Sequence, residues 1–125
     1  MKQIIKTSNA PAPIGPYSQA VLVNNTLYVS GQIAINPVSG LLVLEDIKAE
    51  TRQVMENLKA ILGAAEFNFS NIVKASIFIS DMNNFGQINE VYGSYFSTDF
   101  PARETVQVAR LPKDVNVEIS VIAVK

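Results

Sequence analysis

Residues 100–125 alternate apolar and polar side chains in two runs, separated by Leu111-Pro112-Lys113-Asp114. Period-two alternation is the pattern of a strand with one buried face. Pro112 fixes φ and Asp114 can bond its own backbone, so the four residues read as a turn and the two runs as an antiparallel hairpin. With those four as the loop, Arg110 faces Val115. Val106, Val108, Val117, Ile119 and Val121 then share a core face. Arg103, Thr105, Gln107, Glu118 and Ser120 share the other, with Thr105 opposite Ser120 and Gln107 opposite Glu118. In this register Arg103 stands opposite Ile122, four residues from Glu118, and the two Cα atoms are about 13 Å apart at ~3.4 Å per residue. A site that uses both side chains therefore needs a bulge, another segment, or a second copy of the chain.

The rest of the chain supplies what that hairpin packs against. Residues 2–6 form a short β-like run. Residues 7–16 carry three prolines and a glycine and read as a loop that delivers Tyr17 to the next strand. Residues 18–23 and 26–32 bracket Asn24-Asn25, a two-residue hairpin turn, since Asn tolerates positive φ. Asp46 is a candidate N-cap for a helix to about Ala65, with Ile47, Val54, Leu58, Ile61, Leu62 and Ala65 at helical spacing. On that helix Lys48, Glu50, Arg52, Glu56 and Lys59 form the polar side. Residues 72–80 alternate as a strand with Val73, Ala75, Ile77 and Ile79 on one face. Asn83 or Asn84 caps a second helix whose Phe85, Ile88, Tyr92, Tyr95 and Phe96 form an apolar stripe. The order β-β-β-α-β-α-β-β predicts one α+β domain over residues 1–125, a six-stranded mixed sheet with two helices on one face.

Several function classes drop out at this point. The chain has no histidine and no cysteine. That removes thiol nucleophiles, Cys-ligated metals and the side chain that titrates near neutrality. No spacing typical of metal sites, catalytic triads or phosphate loops occurs. Net charge is −1 without a basic stripe, which argues against nucleic acid. No apolar run approaches the ~20 residues of a membrane span, and the first twenty residues lack an apolar leader core, so a cytoplasmic protein is expected. Only 17% of residues are charged, which suits a chain that hides part of its surface in an assembly.

Among the remaining groups, Arg103 carries the planar fork best suited to a carboxylate, or else forms a surface ion pair with Asp99 or Glu104. Glu118 sits mid-strand, where charge is uncommon, and is either a base or a solvated ion-pair partner. Ser30-Gly31 at a strand end marks close approach by a ligand, a bulge or a turn. Tyr17 either lines a pocket or enters the core, and Thr105 with Ser120 reads as a cross-strand hydroxyl pair.

Three segments together resemble the RidA (YjgF) family of enamine/imine deaminases. They are Ala12-Pro13-Ile14-Gly15-Pro16-Tyr17-Ser18-Gln19, Ser30-Gly31-Gln32-Ile33, and Pro101-Ala102-Arg103 continuing through Val106-Gln107-Val108-Ala109-Arg110-Leu111-Pro112-Lys113-Asp114 to Val117-Glu118-Ile119. The resemblance implies a fold similar to Bacillus chorismate mutase and a homotrimer with sites between subunits. It also implies cofactor-free hydrolysis of 2-imino acids to 2-keto acids and ammonia. It assigns the substrate carboxylate to Arg103 and the attacking water to Glu118. Tyr17, Ser30, Gly31, Asn89 and the backbone N–H of Thr105 would complete the substrate site, with no metal. The chain departs from the usual pattern at Glu104-Thr105, where Ser-Cys is common, and at Gln107 and Ser120, where Glu is usual. A non-catalytic keto-acid sensor using the same cleft is the alternative reading. RNA binding or cleavage, which the resemblance also brings in, ranks last on charge.

Overall fold

The computed structural model describes residues 1–125. Its elements are β1 (Lys2–Ile5), β2 (Ala20–Val23), β3 (Thr26–Gln32), α1 (Ile47–Ala64), β4 (Ile72–Ile79), α2 (Phe85–Gly93), β5 (Ala102–Gln107) and β6 (Val117–Val124). They form one six-stranded sheet in the order β1-β2-β3-β6-β4-β5. β4 and β5 are parallel and every other pair is antiparallel. Both helices cover one face. The element order, the mixed sheet and the one-sided helices all follow the sequence pattern. No helix is long and apolar enough to cross a membrane.

The local signals work as their chemistry requires. The Asp46 side chain accepts from the Ala49 N–H at 2.7 Å and starts α1. Asn24 takes φ 53° in the β2–β3 turn, with Val23 paired to Thr26. The second helix begins differently from expectation. Asp81 caps a 3₁₀ turn over Met82–Asn84 that leads into α2, and Asn84 makes no side-chain cap. Val73 is not on the core face, because the β4–β6 register shifts between Ile72 and Lys74 and turns it outward.

The C-terminal hairpin is not formed. β6 lies between β3 and β4, antiparallel to both, whereas β5 runs parallel to β4 at the sheet's edge. Burial explains the choice. Val117, Ile119, Val121 and Ala123 are buried, so β6 takes a central position, while most of β5 remains exposed. β4, α2 and β5 make a crossover unit, which places β5 beside β4 in parallel. The turn at Pro112–Asp114 is real, but it carries the chain from the edge to the centre. Lys113 and Asp114 both adopt φ 56°, and Arg110 holds Asp114 through Nε–Oδ1 at 2.6 Å and Nη2–Oδ2 at 3.2 Å.

This rearrangement redistributes the two faces. Arg103 is beside Ala75, which pairs with Val121, and Thr105 is beside Ile77, which pairs with Ile119. Arg103 and Thr105 therefore point toward the helices. Val106 shares a row with Phe78 and Glu118 on the open face, and is not a core residue. On that open face Tyr28, Ile122 and Lys74 form one row, and Ser120, Ser76 and Glu104 the next. Glu104 bonds Ser76 and pairs with Lys74 at 2.9 Å. The ion pair weighed for Arg103 with Glu104 or Asp99 does not occur.

Candidate active site

Glu118 and Arg103 belong to two separate concavities on opposite faces of the sheet. A shared hairpin face for the two side chains is therefore ruled out within one chain. Three residue rows and two strand spacings separate them, each about 10 Å.

The Glu118 cleft has a volume of about 320 Å³ and is walled by Ile14, Tyr17, Gly31, Ile33, Pro112 and Lys113 among others. β3 reaches it through a bulge. Val29 pairs with Val121 and Gln32 with Ile119, so Ser30 and Gly31 together oppose Ser120. The extra residue brings the Gly31 Cα under the Glu118 side chain. A Cβ there would lie 2.9 Å from the Glu118 Cδ, so the carboxylate occupies space that only glycine leaves open. Burial pushes the Glu118 carboxyl above the ordinary glutamate range. Tyr17 is half exposed at the cleft wall, with its hydroxyl accepting from the Ile14 N–H at 3.3 Å. It is not a core residue. The Ser30 hydroxyl donates to the Ser18 carbonyl at 2.6 Å, which ties β3 to the loop ahead of β2.

Three buried polar side chains hold the loops that wall this cleft. Gln19 accepts from the Thr7 N–H at 2.8 Å and donates to the carbonyls of Thr7, Ala10 and Pro11, fixing the proline-rich loop. Asn57 donates to the carbonyls of Ile33 and Ile35. Glu50, expected on the polar side of α1, is fully buried and accepts from the Asn116 N–H and Nδ2, both at 2.8 Å. Asn116 lies between the Lys113 turn and Glu118. Sequence reasoning missed these three roles. The available signal was that Glu50 and Asn57 fall at helical spacing with Val54, Leu58 and Ile61 on the apolar stripe.

The second concavity, of about 480 Å³, is lined by Asn89, Tyr92, Gly93, Phe100, Pro101 and Arg103. The Arg103 Nη1 donates to Asn89 Oδ1 at 2.6 Å, and its guanidinium carbon lies 5.7 Å from the Phe85 ring centre and 5.1 Å from that of Tyr92. Asn89 and Arg103 are thus brought together as expected. Thr105 lines neither concavity, and its hydroxyl is buried without a hydrogen-bond partner. It does not pair with Ser120, which lies opposite Ser76 on the other face.

One face thus offers a cation with unused donors, and the other a half-buried carboxyl whose pKa burial raises. The Endoribonuclease L-PSP family profile matches residues 7–125. The 2-iminobutanoate/2-iminopropanoate deaminase of Bos taurus is 50% identical over 125 residues, covering 100% of this chain and 91% of that protein. The crystal structure of YyfA, a Rid family protein of Yersinia pestis, superposes with a TM-score of 0.97 at 52% identity and full coverage of both chains. E. coli TdcF, solved with bound serine, gives a TM-score of 0.95 at 44% identity over 98% of each chain.

Proposed function

Because the chain belongs to the Endoribonuclease L-PSP family, whose Rid members it matches over its whole length, we propose that it hydrolyses small 2-imino acids such as 2-iminobutanoate and 2-iminopropanoate. The products are 2-keto acids and ammonia, and the reaction takes place in clefts between the subunits of a homotrimer. The observation that carries this reading is the division of the site. Arg103 and Glu118 face opposite ways in one chain, so a substrate touching both must lie between two copies. The open face supports such an assembly, since Tyr28 and Val106 are exposed there beside Phe78 and Ile122.

In this reading Arg103 grips the substrate carboxylate through the guanidinium donors that Asn89 leaves free. Glu118 takes a proton from a water as the water oxygen bonds to C2 of the protonated imine. The resulting carbinolamine receives that proton on nitrogen, the C–N bond breaks, and ammonia leaves. Loss of the hydroxyl proton gives the keto acid. The iminium carbon is already electrophilic, so positioning and one proton-transfer group suffice and no covalent nucleophile is required. A raised Glu118 pKa suits a group that both accepts and returns a proton. Tyr17 and Gly31 border the reacting centre. The serine bound in TdcF has the size of such a substrate.

The test is 2-keto acid release when the protein is added to a dehydratase generating 2-aminoacrylate or 2-aminocrotonate, with semicarbazide competing for the imine. The wild type accelerates release and Arg103→Ala does not. Equal release with and without the wild type sinks the assignment, and keto-acid binding without turnover would replace it with the sensor.

A further inference from the structure

We infer that Tyr92 is a positioning residue for Arg103, holding the guanidinium against its ring so that the free N–H edge meets an incoming carboxylate already oriented. The inference rests on the role assigned to Arg103 above and adds a residue to it.

Phe85, Asn89 and Tyr92 stand at i, i+4 and i+7 on α2, one helix face, and all three address the same side chain from β5. The guanidinium has five N–H donors, and the only side-chain partner engaging them is Asn89. None of the three ion pairs in the structure involves Arg103, so no carboxylate of the chain fixes its place. What fixes it is one hydrogen bond and two ring faces.

The two rings are not equivalent. Phe85 is only partly buried, at the first residue of α2. Tyr92 is 4% exposed, lines the Arg103 concavity, and packs on Phe96 with ring centres 5.0 Å apart. It is the rigid wall of the socket. Its hydroxyl is buried and bonds nothing, so the ring face is the working part of the residue. A stacked, preoriented guanidinium avoids the ordering cost that a free arginine meets on binding.

The test is calorimetric titration of 2-oxobutanoate into the assembled protein and its variants. Tyr92→Phe binds as the wild type does. Tyr92→Leu and Tyr92→Met, which fill the core without an aromatic face, weaken binding roughly three- to thirty-fold. In the Arg103→Ala background, Tyr92→Leu changes binding no further, because the two residues act as one unit. Unchanged affinity in Tyr92→Leu or Tyr92→Met overturns the inference. So does an equal loss with and without Arg103, which would mark Tyr92 as a packing residue only. If Arg103→Ala itself binds like the wild type, the carboxylate role of Arg103 fails and Tyr92 has nothing to position.

Discussion

The carboxylate of Glu118 lies directly over the Cα of Gly31, in space that any larger residue's Cβ would fill. The atoms such a Cβ meets belong to the end of a flexible side chain, and Gly31 has no positive φ to strain. Gly31→Ala therefore leaves the fold intact, with a stability change within about 1 kcal/mol, because the carboxylate swings aside. Under the proposed role of Glu118, activity falls roughly 100-fold, since the displaced group would no longer meet the attacking water. Thermal melts alongside keto-acid release separate the two effects. A variant as active as the wild type would show that the Glu118 position is not critical.

Burial raises the Glu118 pKa, and this has opposite consequences for stability and for activity. The folded state holds the proton more tightly than the unfolded chain. That contribution is fully present below the ordinary glutamate range and is lost as pH rises through the raised folded value. Glu118→Gln is then more stable than the wild type at neutral pH, and the advantage disappears in acid. Urea denaturation at about pH 7.5 and about pH 3.5 checks this. The proposed role of Glu118 as proton acceptor requires its ionised form, so the acid limb of kcat/KM is expected above the ordinary glutamate range and absent from any residual activity of Glu118→Gln.

Alternation, helical spacing and turn residues located every strand and both helices, because each of these signals is local in the chain. Pairing was not legible, since it depends on which strand has enough apolar surface to be central. The turn at Pro112 and the alternation beside it suit a hairpin equally well, and only the buried Val117, Ile119, Val121 and Ala123 decide for β6 in the middle. The site residues followed the same division. The resemblance named Arg103, Asn89, Glu118, Tyr17 and Gly31, which line the two concavities, and also Ser30, which lines neither and bonds Ser18 instead. Thr105 lines neither: it shares the Arg103 face of β5 but sits two residues farther along, beside the buried Ile77, with its own hydroxyl buried. Gln19, Asn57 and Glu50 were invisible as site residues, since a buried polar side chain reveals its role only through the loop it bonds.

Glu50 shows how much such a role weighs. Its carboxyl takes two donors from Asn116, and Asn116 in turn bonds Ser80 through backbone and side chain. Glu50→Ala removes both acceptors in a fully buried position and costs about 2–4 kcal/mol. Glu50→Gln is milder, about 1 kcal/mol, because a flip of the Asn116 amide restores an oxygen opposite the new NH₂ group and the Ser80 hydroxyl can accept as well as donate. Urea melts of the two variants rank them. Equal losses would mean that the amide of Glu50→Gln does not replace the carboxyl's hydrogen bonds to Asn116.

The division of Arg103 and Glu118 between two faces makes a prediction that single variants cannot test. Arg103→Ala and Glu118→Gln are each inactive alone, but each retains the half-site the other lacks. If every cleft joins the Arg103 face of one chain to the Glu118 face of its neighbour, co-refolding the two variants rebuilds complete clefts. In a closed head-to-tail ring filled at random from an equal mixture, about one quarter of the clefts receive both intact residues. Keto-acid release should therefore recover to roughly one quarter of the wild-type value per chain. Mixing without unfolding restores nothing while subunits stay unexchanged, which supplies the control. No recovery after verified exchange would place the chemistry within one chain and leave the opposite orientation of the two side chains without a catalytic purpose.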